Sequence, residues 1–443
     1  LAAERRPNIL FIMADDLGYA DLSCYGRRDY ETPVLDRLAA QGIRFTHAYA
    51  NSAVCTATRV AFMTGRYQYR LPIGLEEPLQ GRPLGLPPEH PTLPSQLREA
   101  GYRTSLVGKW HLGDLPDYCP LKSGFDEFWG IRGGGVDYFT HELYGRNDLW
   151  DGEVNIRENG YLTDLLATRC IETLERRAQG EEPFFIALNF TAPHWPWTGP
   201  EDEAESDRLT AKQAERPGDM AILHWDGGDM ATYAAIMQNL DANVGKVLDA
   251  LERLGLADDT LVVFTSDNGG ERFSDIFPFT GRKTELLEGG IRVPVIVRWP
   301  GVAEPGTLSE QLVMTMDWLP TFLAAAGIEP DAEYPSDGLD IRPAIASNVL
   351  PDRQFFWRFM NHGQRAVRSG PWKYLQIAGH EFLFDVAADP MERANLRERE
   401  LDMFEQLRAD WEAWDRTMLP IDPEASTHGF TGRELAEYFG VDS

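Results

Sequence analysis

Five apolar runs of strand length end in polar clusters. Residues 8–14 (NILFIMA) meet Asp15 and Asp16, and residues 104–107 lead to Gly108-Lys109-Trp110-His111. Residues 184–190 (FFIALNF) lead to Pro193-His194, residues 261–265 (LVVFT) lead to Asp267 and Asn268, and residues 293–299 (VPVIVRW) form the fifth run. The apolarity is continuous rather than alternating. Both faces of such strands must be covered, as in a parallel sheet between helices. Helical patterns lie between the runs, at 93–100, 161–177, 229–254 and 32–41 (TPVLDRLAAQ). The last has Thr32 at the cap, Pro33 in the first turn and Gly42 as the stop. This alternation predicts an α/β fold, a large mostly parallel sheet sandwiched by helices. Ligands bind such sheets beyond the carboxyl ends of the strands. Four of the five runs deliver charged or metal-capable residues at that edge.

From about residue 350 the pattern changes. Short β-rich runs occupy 354–360, 364–377 and 381–386, with a turn at Ser369-Gly370-Pro371, and a helical pattern covers 395–417. The expected division is a catalytic α/β domain at 1–345 and a smaller α+β domain with an antiparallel sheet at 346–443. The Pro-interrupted tail, 419–443, carries a short helical pattern at 432–439 and is long enough to embrace a second copy in a homo-oligomer.

The chain carries 42 Lys plus Arg against 70 Asp plus Glu, a net charge of −28. That surface repels nucleic acid and anionic lipid, so neither is expected as a partner. An anion-cleaving site here must be locally basic. No apolar run reaches the length of about 18 residues that a membrane helix needs. The four cysteines, Cys24, Cys55, Cys119 and Cys170, are too few for a disulfide framework. Few cysteines and no visible leader point to the cytoplasm. A removed signal peptide would point instead to the periplasm.

Asp15, Asp16, Asp267 and Asn268 form an oxygen-only set on two strand ends. Either pair alone more often caps a turn. Two pairs at equivalent edges of one sheet suit a hard cation such as Ca²⁺ or Mg²⁺ rather than zinc. In Cys55-Thr56-Ala57-Thr58-Arg59, a helix starting at the cysteine would put Arg59 one turn away. Lys109, His111, Lys283 beside Arg282, and His194 add cations and imidazoles. Around a carboxylate metal site they suit a tetrahedral oxyanion.

Taken in order, these blocks resemble the formylglycine-dependent, type I sulfatases of the alkaline phosphatase superfamily. The resemblance rests on Cys55-Thr56-Ala57-Thr58-Arg59 with Thr64-Gly65-Arg66, and on Arg6-Pro7-Asn8-Ile9 through Asp15-Asp16-Leu17-Gly18. It continues through Gly108-Lys109-Trp110-His111-Leu112-Gly113, Thr265-Ser266-Asp267-Asn268-Gly269, and Lys283 with Glu288-Gly289-Gly290-Ile291-Arg292-Val293-Pro294. Phe384-Asp385, Asp389-Pro390 and Asn395-Leu396 are similar to the family's C-terminal motif. The resemblance implies that a maturation enzyme converts Cys55 to formylglycine, whose hydrate is a geminal diol. It implies Ca²⁺, with Mg²⁺ or Mn²⁺ as substitutes, on Asp15, Asp16, Asp267 and Asn268. Asp267 then takes the proton of the attacking hydroxyl, and Arg59 and Lys109 hold the formylglycine. Lys283 and His194 bind sulfate oxygens and assist the leaving group. His111 removes the second hydroxyl proton, and elimination expels sulfate. Ala57 stands where the family most often has Pro, which bears on the maturation route.

The expected substrate is a small sulfate ester, arylsulfatase-like because nothing marks a particular sugar. Trp195, Trp197, His224 and Trp225 are candidates for an aromatic wall, and Asp137, Tyr138 and His141 for the pocket rim. The alternatives are a carbohydrate sulfatase, a phosphate or phosphonate ester hydrolase on the same scaffold, and a non-catalytic binding protein in which Cys55 stays a thiol. A two-zinc phosphatase is disfavoured because the metal set lacks imidazole.

Overall fold

Strands Thr260–Ser266, Asn8–Ala14, Phe184–Asn189, Arg103–Gly108 and Glu127–Gly130 lie side by side and run parallel. The computed structural model that shows this describes residues 6–75, 83–216, 220–423 and 425. Every residue of Asn8–Ala14 and Thr260–Ser266 is buried, as their continuous apolarity requires. Alternate side chains serve opposite faces. Leu10, Ile12, Leu188 and Phe264 pack on one layer with Leu35, Leu166, Ile236 and Leu240. These come from helices Pro33–Ala40, Leu162–Arg177 and Met230–Arg253. Ile9, Phe11, Met13 and Phe185 face the other layer, with Phe62, Leu97 and Phe322. The Phe11 and Phe62 rings stack 4.2 Å apart.

The sheet has ten strands and is mixed at its flanks. The run at 293–299, expected among the parallel strands, becomes Val295–Arg298 and pairs antiparallel with Thr260–Ser266. Continuous apolarity reports burial on both faces, which an interior strand has whichever way it runs. Ile43–Phe45 and Thr307–Ser309 complete this side, and the antiparallel strands Trp150–Asp151 and Val154–Asn155 the other.

Helix ends differ from expectation where side chains found other partners. Thr32 precedes Pro33–Ala40 but makes no capping bond. Its hydroxyl instead accepts the Ser23 N–H at 2.9 Å. The helix's free N–H groups at Val34 and Leu35 are accepted by the Asp241 carboxylate, at 3.0 and 2.9 Å. The pattern at 395–417 is helical only over Leu401–Asp415. Asn395 cannot join it, because its Oδ1 accepts the Leu383 N–H at 3.1 Å, and the Leu396 N–H donates to the Leu383 carbonyl at 2.8 Å. The predicted helix at 432–439 lies outside the described residues. Among the described residues, no helix is long and apolar enough to cross a membrane.

The second sheet is an antiparallel meander of Gln354–Phe359, Gln364–Ser369, Trp372–Ile377 and His380–Asp385. Gly370, at φ 53°, makes the turn expected at Ser369-Gly370-Pro371. One face carries Val367, Tyr374 and Leu383 against Phe404, Leu407 and Trp411 of Leu401–Asp415. The other face presents Phe355, Trp357 and Leu375 to Ala57 and Ala61 of helix Cys55–Thr64. The meander therefore backs the helix that begins at Cys55.

One buried ion cluster also links the two sheets. Lys373 Nζ lies 3.1 Å from Glu288 Oε1 and 2.7 Å from Glu392 Oε1, and all three side chains are fully buried. Burial opposes the Glu288 carboxylate, but Lys373, Arg292 and Arg368 prevail and hold it at about 2. Burial pushes the Glu392 carboxyl up to about 7, with Lys373 only partly offsetting it. Lys373→Met removes the cation between Glu288 and Glu392 and leaves Glu288 to Arg292, and is expected to cost about 3–5 kcal/mol of stability. Chemical denaturation measures this; an unchanged midpoint would show that the cluster contributes nothing.

Candidate active site

The carboxyl ends of the parallel strands are locked together by their own polar groups. In-register partners set them level: Ala14 with Ser266, Met13 with Asn189, and Asn189 with Gly108. Asp16 follows with φ 61°, a left-handed conformation uncommon for a non-glycine residue. Its N–H donates to Asp267 Oδ1 at 3.2 Å, and the Leu17 N–H donates to Ser266 Oγ at 3.0 Å.

Three carboxylates and three cations interlock at this edge. Asp15 Oδ2 accepts from Lys109 Nζ at 2.7 Å, and Asp15 Oδ1 lies 3.7 Å from Arg59 Nη2. Asp16 Oδ2 accepts from Lys283 Nζ at 2.7 Å and lies 3.5 Å from His194 Nε2. Asp16 Oδ1 accepts from Asn268 Nδ2 at 2.7 Å. Asp267 Oδ2 accepts from Arg59 Nε at 3.1 Å and from Nη2 at 2.8 Å. Each of these six charged side chains is at most 4% exposed. Removing such ions from water costs several kcal/mol each, so the pairing is obligatory.

Cys55 opens helix Cys55–Thr64, every residue of which is buried. Its Sγ lies 3.5 Å from Asp15 Oδ1 and 4.0 Å from Asp16 Oδ1. Burial, only partly opposed by Lys109 and Lys283, raises the thiol well above its ordinary pKa. Left unmodified, Cys55 is thus a poor thiolate nucleophile. Arg59 lies one turn on and also donates to the Lys109 carbonyl at 3.2 Å. Thr56 Oγ1 donates to the His111 carbonyl at 3.2 Å, which fixes the His111 segment beside the helix start. The Lys283 segment is tied in as well, since the Thr284 N–H donates to the Ala53 carbonyl at 2.8 Å.

Both imidazoles are buried and neutral. Burial and then Lys109 lower His111 well below its ordinary value; burial and then Lys283 do the same to His194. His111 Nδ1 makes no hydrogen bond to any of the described residues. His194 Nδ1 lies 2.9 Å from the Trp195 carbonyl. A carbonyl only accepts, so Nδ1 carries the proton and Nε2 faces Asp16 bare.

The carboxylate and amide oxygens here fit a hard cation, while a sulfur and an imidazole nitrogen share the same space. Oxygens of Asp15 and Asp16, Cys55 Sγ and a His194 nitrogen all lie within 4.8 Å of one another. Asn268 Oδ1 is buried and has no hydrogen-bond partner among the described residues. Such an acceptor costs about 1–3 kcal/mol if nothing covers it. An oxygen-coordinated ion beside Asp16 would satisfy it.

All ten residues singled out in the sequence for catalysis or metal binding sit at this one edge. Of the rim candidates, Trp195 and Tyr138 touch His194, and the others are engaged elsewhere or exposed. Trp197 is buried, 5.0 Å from the Phe273 ring. His224 is buried and bonds Glu205 at 2.8 Å. Asp137 accepts the Phe139 and Thr140 N–H groups, each at 2.9 Å, as a turn cap. His141 lies 3.1 Å from the Gly160 carbonyl. The Tyr138 hydroxyl donates to the carbonyl of His194 at 2.9 Å and of Thr191 at 3.2 Å, so it braces the site from outside. Trp195 lies against His194, with centroids 4.2 Å apart, and Trp225 is exposed. Glu271 was not foreseen. Its Oε2 is 3.8 Å from Lys283 Nζ, and it follows the Asp267-Asn268 strand end by only a few residues.

Comparisons with known proteins show the family to which the chain belongs. The family described as Sulfatase matches residues 7–328, and that described as N-sulphoglucosamine sulphohydrolase, C-terminal, matches residues 282–413. N-acetylgalactosamine-6-sulfatase of Canis lupus familiaris is 34% identical over 405 residues, covering 84% of this chain and 72% of that protein. The Homo sapiens protein of the same name is 33% identical, covering 80% and 69%. Among solved structures, Ps i-CgsB is 30% identical with a TM-score of 0.84, covering 95% of each chain. The same protein in complex with k-i-k-neocarrahexaose is 29% identical, also at a TM-score of 0.84, covering 98% of this chain and 97% of that one. The chain therefore belongs to the sulfatase family, a family of hydrolases that act on sulfate esters.

Proposed function

We propose that Cys55 is oxidised to formylglycine and that the chain then cleaves a sulfate monoester of a carbohydrate with Ca²⁺ bound. The observation that carries this reading is Cys55 Sγ at 3.5 Å from Asp15 Oδ1, inside a cluster of three carboxylates and three cations. Asp15, Asp16, Asp267 and Asn268 would hold the ion. When bound, it supplies Lewis acidity toward sulfate oxygens and toward a hydroxyl at position 55. The hydrated aldehyde supplies two hydroxyls, one to attack sulfur and one to lose its proton as sulfate leaves.

The chain's own groups divide the remaining work. Asp267 accepts the proton of the attacking hydroxyl, held in place by Arg59 and the Asp16 N–H. Arg59 and Lys109 stabilise charge at position 55. Lys283, against Asp16, holds the sulfate and gives a proton to its leaving oxygen. His194 holds a sulfate oxygen only when Nε2 carries a proton as well as Nδ1. Neutral His111, with Nδ1 unbonded, accepts the last proton. The relatives support a sugar as the alcohol. One is named for a sulfated amino sugar, and Ps i-CgsB was crystallised with an oligosaccharide. Trp195 beside His194 offers a flat apolar face to a sugar ring.

Mass spectrometry of the peptide around position 55, from protein made in its native host, should show sulfur replaced by a carbonyl oxygen. Cys55→Ala should lower turnover of a sulfate ester by more than about 10³-fold with little change in melting temperature. A thiol in every molecule, or an active Cys55→Ala, would end the proposal. Asp267→Asn keeps the side-chain shape but removes a charged donor; calcium content should fall together with activity, and unchanged calcium would show the ligand to be misassigned. On a sulfate and a phosphate ester of one alcohol, the sulfate should be the faster. The reverse order would favour the phosphate-ester reading.

A further inference from the structure

The glycine-rich stretch after Gly130 has no part in the chemistry described so far, yet it touches both imidazoles. Its first residues run alongside the Lys109 segment. The Ile131 N–H donates to the Gly108 carbonyl at 3.2 Å, and the Trp110 N–H donates to the Ile131 carbonyl at 2.9 Å. The His111 N–H then donates to the Arg132 carbonyl at 3.1 Å. This holds His111 in a left-handed conformation, φ 57°. The Asp148 carboxylate fixes the stretch from behind, accepting the Arg132 and Gly133 N–H groups at 3.3 and 2.7 Å. At its far end the Tyr138 hydroxyl grips the His194 carbonyl at 2.9 Å.

Between these anchors lie Gly134 and Gly135, whose missing side chains are occupied by the two rings. A Cβ on Gly134 would stand 2.8 Å from both Cε1 and Nε2 of His111. A Cβ on Gly135 would stand 2.8 Å from Cε1 and 2.9 Å from Nδ1 of His194. Neither glycine has a positive φ, so backbone freedom does not explain them. The three atoms nearest an alanine Cβ at Gly134 all belong to the His111 ring, and at Gly135 they belong to His194 and Trp195. The geometry points to residues 131–138 as one positioning device, in which Gly134 sets the ring of His111, and Gly135 with Tyr138 sets that of His194. This rests on the roles proposed above for the two histidines. Both rings must address one tetrahedral group, and a single stretch that backs both fixes their separation.

The test uses matured full-length protein. Gly134→Ala and Gly135→Ala should each lower kcat/KM by about 10- to 10²-fold, the usual result of a displacement of about 1 Å at a reacting group. Each is repeated with its own histidine removed. With His111→Ala in place, Gly134→Ala should add no further loss, and the same should hold for Gly135→Ala with His194→Ala. Equal losses in both backgrounds would overturn the inference. Two-bond ¹H–¹⁵N spectra of the nine imidazoles give a readout independent of turnover. Gly134→Ala should move only the resonances that vanish in His111→Ala. Gly135→Ala should move only those that vanish in His194→Ala. Unmoved resonances would again overturn it. Should either alanine variant fail to fold, Tyr138→Phe adds no volume and decides the matter: the His194 resonances should move and those of His111 stay. If His111→Ala or His194→Ala is fully active, the proposed role of that histidine fails, while the spectra still decide what positions its ring.

Discussion

Everything at this site depends on three carboxylates and three cations being buried together at the end of a parallel sheet. Neither set is tolerable alone. Asp15, Asp16 and Asp267 would repel one another in a dry site, and Arg59, Lys109 and Lys283 would do the same. Their distances are set by strand register, since the acids follow Ala14 and Ser266, which are partners in one ladder. A slip of one residue would turn the acids to the opposite face and leave the cations unpaired. On a chain of net charge −28, the three cations of this site are gathered by topology rather than by composition, and three carboxylates balance them.

Helix Cys55–Thr64 is held from two sides. Val60, Phe62 and Met63 belong to the layer on the main sheet, while Ala57 and Ala61 face the meander through Phe355 and Trp357. The Trp357 indole N–H donates to the Ala50 carbonyl at 2.9 Å, and the Trp411 indole N–H donates to the Trp357 carbonyl at 2.8 Å. The small alanines let the meander approach the helix that Cys55 opens. The second sheet therefore contributes no group to the central cluster but fixes the element that presents position 55.

Much of this was legible in the sequence because burial leaves a strong mark there. The runs at 8–14, 184–190 and 261–265 had to be interior strands, and their polar ends had to meet at one edge. All ten expected site residues lie there. Strand direction was less legible, because an interior strand is apolar whichever way it runs, and 293–299 proved antiparallel. Thr32 stands at the N-cap as expected, but a distant side chain, Asp241, makes the capping bonds in its place. The rim was legible only in part: Trp195 and Tyr138 do touch His194. Trp197, His224, Asp137 and His141 have the residue types of a pocket wall, but each is engaged by a neighbour that only the fold supplies. Gly134 and Gly135 carried no signal of their own, since what they accommodate belongs to other strands.

The most direct test of the central claim is a crystal structure of protein matured in its native host, soaked with sulfate and Ca²⁺. Electron density should show two oxygens rather than sulfur on the Cβ of residue 55. An ion should lie about 2.3–2.6 Å from oxygens of Asp15, Asp16, Asp267 and Asn268, with sulfate between it and Lys283. A sulfur atom at position 55, with no ion within bonding distance of those four residues, would contradict the central claim.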